Sequence, residues 1–180
     1  MHKIPLFFLL IIAVSCAACS ANKYVAKPSV YFESFDKSDT ADFCHIVIPE
    51  QPFSVELLGS VDTVTETTIT FHIQIGIYNH GMAPVTKDNL IMNDMTVTAL
   101  ADNLAPIRQS SFHGQTQGPP YAIMSYHRFV FDRAALARQF AETHIAAFQI
   151  FLDKFITYNG KSVAIEPVSA FLRIPASKKG

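Results

Sequence analysis

The sequence predicts a mainly β, antiparallel sandwich with one short helix near residues 133–143. Three observations carry that prediction. From Thr68 to Tyr78, Ile69, Phe71, Ile73, Ile75 and Ile77 alternate with Thr70, His72, Gln74 and Gly76, and a period of two marks a half-buried strand. About eight short runs of strand length are separated by turn residues, the spacing of a two-sheet domain. The stretch Arg133 to Glu142 is rich in helix formers, with Asp132 ahead of it as an N-cap and Leu136 and Phe140 four apart on one face.

Residues 1–15 open with His2 and Lys3 and continue into the uncharged run Leu6 to Val14. A run of about nine residues is too short to span a bilayer, which takes roughly twenty, and has the dimensions of a signal-peptide core. Residues 16–41 mix Ser, Ala, Lys, Asp and Thr with scattered Tyr24, Tyr31, Phe32 and Phe35 and hold no period. They are expected to form a flexible tether, with a root-mean-square span of roughly 25–30 Å. Its aromatics leave open that part of it pairs as an extra strand.

The sandwich is expected over residues 42–176. Cys44 to Ile48, Ser54 to Val61 and Thr68 to Tyr78 supply its first strands, and Asn79-His80-Gly81 with Pro84 supplies a turn. Leu90 to Met92 and Met95 to Leu100 follow. Residues 102–122 carry Asn103, Pro106, Gly114, Gly118, Pro119 and Pro120 with little periodicity, and are expected to form a long loop. Strand character returns at Tyr126 to Phe131. After the helix come Phe148 to Leu152 and Phe155 to Tyr158. Asn159-Gly160 then forms a hairpin turn of the kind that needs positive φ at both residues. Lys161 to Ile165 and Phe171 to Ile174 complete the set, and residues 177–180 form a solvated tail.

Ala13-Val14-Ser15-Cys16 resembles the lipobox of bacterial lipoproteins. The resemblance implies cleavage before Cys16 and lipidation of its thiol, with Cys19, preceded by Cys16-Ala17-Ala18, as the alternative site. Two or three acyl chains hold a protein stably, at about 0.8 kcal/mol per buried CH₂. Ala17 stands where an aspartate would favour inner-membrane retention, so the implied address is the outer membrane in an organism that has one. A plain cleaved secretory signal is the competing reading. A second segment, Ile73-Gln74-Ile75-Gly76-Ile77-Tyr78-Asn79-His80-Gly81-Met82-Ala83-Pro84-Val85, resembles the strand–turn–strand of immunoglobulin-like domains in bacterial lipoproteins. It implies an immunoglobulin-like sandwich. The Cys…Trp…Cys core of true immunoglobulin domains is missing.

Composition removes several function classes. Fourteen Lys and Arg against fifteen Asp and Glu leave no electrostatic footprint for nucleic acid or an anionic lipid surface. Fifteen Phe and no Trp fit a β-rich core and argue against a tryptophan platform for sugars. Cys44 reads as a small buried hydrophobe beside Ile46, with a Cys19–Cys44 bridge as the alternative.

For metals, the candidates are Cys44-His45, His80-Gly81-Met82, Met92 with Met95, and His72 facing His127 across neighbouring strands. Against them, His45, His72 and His127 alternate with apolar neighbours like solvent-facing strand residues. His80 and His113 each precede a glycine, as turn residues do. No metal or cofactor is expected. There is no Gly-x-Ser-x-Gly elbow and no His-Glu-x-x-His pair. Glu142 and His144 do not share a helix face, and Ser110-Ser111 near His113 carries no motif, so no catalytic residue is expected. Binding remains, with Phe112 and Tyr121 either as the candidate contacts for an envelope protein partner or as a lid folded back on the core. The alternatives are a metal or small-ligand binding lipoprotein and an envelope hydrolase.

Overall fold

The alternating run Thr68–Asn79 is the central strand of a five-stranded sheet in the computed structural model, which describes residues 28–33, 40–41, 43–82, 84–100, 103–118 and 121–174. In chain order the strands are β1 (Ser29–Glu33), β2 (Thr40–Ala41), β3 (Phe43–Val47), β4 (Phe53–Val64), β5 (Thr68–Asn79), β6 (Leu90–Met92), β7 (Thr96–Ala99), β8 (Arg108–Gly118) and β9 (Tyr121–Asp132). Helix α1 (Ala137–Thr143) comes next, then β10 (Ile145–Phe151), β11 (Ile156–Tyr158), β12 (Lys161–Val163) and β13 (Val168–Arg173). One sheet has the order β3-β4-β5-β9-β8 and a second the order β2-β1-β13-β10-β7; β12-β11-β6 form a small third. The described pairings are antiparallel. The protein is mainly β, as the sequence predicts.

The two large sheets meet in an aromatic core. Phe71 on β5 lies 5.6 Å from Phe129 and 5.8 Å from Phe131 on β9, and 5.1 Å from Phe148 on β10 of the opposite sheet, centroid to centroid. Phe131 also meets Phe148 edge-on at 5.0 Å, the geometry that aromatic quadrupoles favour. Cys44 is buried in this core and its thiol is free. Burial pushes its pKa up to about 11, which leaves the thiol protonated and unreactive at neutral pH.

Gly59 marks where β1 crosses β4. A Cβ there would come within 2.4 Å of Val30 Cγ1 and 2.7 Å of Val30 Cβ, so the two sheets close only because the side chain is missing. Gly59→Ala is expected to lower stability by about 1–3 kcal/mol, read as a shift in the urea midpoint. Ser60→Ala, one residue along on the exposed side, should leave it within about 0.5 kcal/mol. Equal midpoints for the two variants would contradict the close crossing.

The structure corrects the sequence reading of the fold at several places. Part of the span 16–41, read as a flexible tether, is sheet: β1 pairs with β13 and β2, and Val30 and Phe32 are buried. Residues 102–122 are no long loop, because Arg108–Gly118 is an edge strand paired with β9. Its residues 108–113 are exposed on both faces, so no alternation betrays it. Residues 133–136 form turns and α1 begins only at Ala137; Asp132 Oδ1 accepts from the Ala134 and Ala135 amides and so caps those turns. His127, read as solvent-facing, is fully buried.

The hairpin at Asn159-Gly160 is as expected, with φ of 48° and 75°. The Asn79-His80-Gly81 turn also forms, its His80 and Gly81 amides donating to the Pro52 carbonyl.

Candidate functional site

The strand alternation sends Leu57, Ile75 and Phe129 inward and leaves the other face of β3-β4-β5-β9-β8 to solvent. Pairing register then aligns one residue from each strand. Phe43 stands opposite Leu58, Leu58 opposite Gln74, Gln74 opposite Tyr126, and Tyr126 opposite Phe112. Phe43 is 56% exposed, Leu58 46%, Tyr126 41% and Phe112 66%. Large apolar side chains lined up in the open are the informative departure from ordinary surface composition.

Beside this row the face has a hollow of about 320 Å³, lined by Phe43, Glu56, Leu58, Gln74 and Gly76. Polar residues border the row on both sides. On one side, His45 Nδ1 is hydrogen-bonded to Glu56 Oε1 at 3.0 Å. On the other, a bulge after Val61 presents Asp62, which takes the Arg128 Nε–H at 3.0 Å and pairs with His72 Nδ1. Such half-exposed polar pairs contribute about 0–1 kcal/mol, so they border the face more than they hold it.

A second polar group lies on the inner side of the β8 edge. Asn93 donates its side-chain amide to the Lys154 carbonyl, and Gln109 donates its own to the Met95 carbonyl, which fixes the segment between them over β8. Asp94 there accepts a hydrogen bond from Ser111 Oγ and lies 3.9 Å from His113 Nε2. His127 packs edge-on to His113 and to Phe155, at 5.3 and 5.5 Å, and its Nε2 is hydrogen-bonded to Ser125 Oγ at 3.0 Å. Its Nδ1 is buried without a protein partner. Burial, aided by the His113 charge and opposed by that of Asp94, pushes the His127 pKa down to about 4.

This group lacks the geometry of nucleophilic catalysis, which needs a nucleophile, a base and an orienting group in sequence. Ser111 is hydrogen-bonded to the carboxylate. Ser125 does meet a histidine, but both are fully buried, and the far ring nitrogen of that histidine has no carboxylate. Among the described residues no three His, Cys, Asp or Glu side chains could hold a metal ion. His72 and His127, paired in the sequence reading as a metal candidate, are on opposite faces, since His72 stands opposite Arg128 and His127 opposite Ile73. His113 is in a strand and not a turn.

A groove of about 630 Å³ runs along the β3 edge, lined by Ile46, Val47, Ile48 and Pro49 on one side and by Ile165 and Val168 among residues 164–168 on the other. Of the residues singled out from sequence, Phe112 projects from β8 into the exposed row. Tyr121 begins β9, and its side chain is outside the described part. Cys16 and Cys19 lie outside the described residues. Sequence reasoning missed Phe43, Leu58 and Tyr126, which no local pattern connects. Among the described residues no helix is long and apolar enough to cross a membrane. No known protein family matches the chain, and no curated protein matches it.

Proposed function

We propose that this chain is a bacterial envelope lipoprotein, anchored through lipid on Cys16, whose sandwich is a non-catalytic binding or accessory domain. The exposed row Phe43, Leu58, Tyr126 and Phe112 is the observation that carries the binding role: a face of this kind is stable in water only at a cost that a partner would remove. The anchor is supported by Lys3, the apolar run Leu6 to Val14 and Ala13-Val14-Ser15-Cys16, and the outer-membrane address by Ala17. The immunoglobulin-like character of the sandwich belongs to the same proposal, supported by the segment Ile73 to Val85.

The test uses the full chain in its own membrane. A photo-crosslinking phenylalanine analogue at Phe112 is expected to give a protein adduct that the same analogue at exposed Lys161 does not. Radiolabelled palmitate should enter the wild type and Cys19→Ser but not Cys16→Ser. Absence of any adduct at Phe112 removes the binding role, and a wild type that takes up no palmitate removes the anchor.

A second reading, a small-ligand binding lipoprotein, is favoured by the apolar groove beside β3, whose volume is within the range of small-molecule sites, about 300–1,000 Å³. A fluorescent fatty-acid analogue that binds the wild type and is released by Val47→Glu would support it; equal binding to both would exclude that groove.

A further inference from the structure

Across the five strands, the exposed row runs Phe43, Leu58, Gln74, Tyr126 and Phe112. Its chemistry is nearly palindromic about Gln74 on the central strand: an aromatic at each edge, a large apolar body inside each, and one amide in the middle. The relief is not symmetric. The hollow lies on the β3-β4-β5 half, while Tyr126 and Phe112, 41% and 66% exposed, stand on the β9-β8 half. One face therefore carries both a depression and the side chains to fill it.

An interface between two identical chains related by a two-fold axis must be self-complementary in this way. We propose that the outer face of β3-β4-β5-β9-β8 is the site at which two copies of this chain pair, about a two-fold axis running along β5. The rotation lays Tyr126 of each copy over Leu58 of the other, at the hollow, and Phe112 over Phe43. The two Gln74 amides meet at the axis.

The area suffices. Strands about 4.8 Å apart and rising about 3.3 Å per residue give this sheet, with four strands of 11 or 12 residues beside the 5-residue β3, a face comparable to the roughly 800 Å² that each partner buries in a standard interface. Aligned sheets pack about 10 Å apart with interdigitating side chains. Gly76 in the middle of a strand lowers the floor where another chain must come close. The apolar row with Glu56 and His45 on one side and Asp62, His72 and Arg128 on the other has the plan of an apolar centre and a polar rim. The mixed signs of that rim give an anionic bilayer no reason to bind there.

This inference rests on the proposed binding role and names its partner. It also suits an anchored chain, because a two-fold axis along the strands leaves Pro28, just before β1, at the same end of the pair in both copies.

The full chain in detergent is expected to sediment at twice the mass of one chain at about 100 μM and to dissociate on dilution. Phe112→Glu, which places a carboxylate in the contact, should weaken pairing on the order of 100-fold. Both Leu58→Lys and Tyr126→Glu should be monomeric alone. Mixed together they should pair, since the introduced ammonium of one variant then meets the introduced carboxylate of the other across one contact, while the second contact keeps its native residues. All three positions are exposed, and an unchanged circular dichroism spectrum confirms that each variant folds. A monomeric wild type, a pair that Phe112→Glu leaves as tight as that of the wild type, or a mixture that stays monomeric would each overturn the proposal. An adduct of Phe112 with a different protein, alongside a monomeric wild type, would keep the binding role and assign the face to that protein; no adduct would remove both.

Discussion

Phe71→Ala is expected to remove about 3–5 kcal/mol of folding stability, a large share of the roughly 5–15 kcal/mol that holds a domain of this size. Phe71 is 1% exposed and its ring meets Phe129 and Phe131 within its own sheet and Phe148 in the sheet opposite. Truncation therefore removes the transfer free energy of a whole ring and leaves a cavity between two sheets whose hydrogen-bonded backbones cannot collapse into it. Urea unfolding followed by circular dichroism should show a lower midpoint at an unchanged slope, since the surface exposed on unfolding is nearly the same. Phe112→Ala supplies the control. It deletes the same atoms from an exposed position and should shift the monomer midpoint by less than about 0.5 kcal/mol. Similar losses in both variants would mean that the two sheets do not share the core described above.

The second large effect is acid destabilisation through His127. Burial holds its folded-state pKa near 4, against an ordinary value of 6.5. Above pH 6.5 the imidazole is neutral in the folded and unfolded chains alike, and stability does not depend on it. As the pH falls below 6.5 the unfolded chain takes up a proton that the folded chain refuses. Stability then declines by about 1.4 kcal/mol per pH unit until the folded state also titrates near pH 4, a total of about 3 kcal/mol. The groups facing the ring are His113 and Ser125 from the same sheet, Asp94 from the segment before β7, and Phe155. The Asp94 charge favours the imidazolium and the His113 charge opposes it, so burial sets the sign. His127→Phe removes the titration and keeps a ring beside Phe155. Between pH 7 and 4.5 the urea midpoint of the wild type should fall further than that of His127→Phe. Parallel curves for the two would show that His127 is not held neutral by the fold.

His127 also shows how much of the site was legible. It lies two residues before Phe129 and four before Phe131, so the parity of β9 already placed it inward. Its polarity argued for solvent, and packing against Phe155, with a hydrogen bond to Ser125, overrode that preference. The strand β8 was hidden for the opposite reason. An edge strand exposed on both faces has no burial to impose alternation on its sequence, and Ser110, Ser111 and His113 satisfy themselves with water or with Asp94 as easily as loop residues do. The helix was found but begins late, because Asp132 caps a turn before it.

The sequence by itself determined the mainly β class, the strand from Thr68 to Tyr78 with its inward isoleucines, the positive-φ hairpin at Asn159-Gly160 and the burial of Cys44. These follow from patterns within a few residues, where side-chain period and turn chemistry act directly on the backbone. Only the tertiary structure decided that β1 joins the sandwich and that Phe43, Leu58, Gln74, Tyr126 and Phe112 stand in one line. Those five residues span 84 positions of the chain, from 43 to 126 inclusive. Strand order and register bring them together, and both are set by pairing and core packing between distant segments, which no local period records.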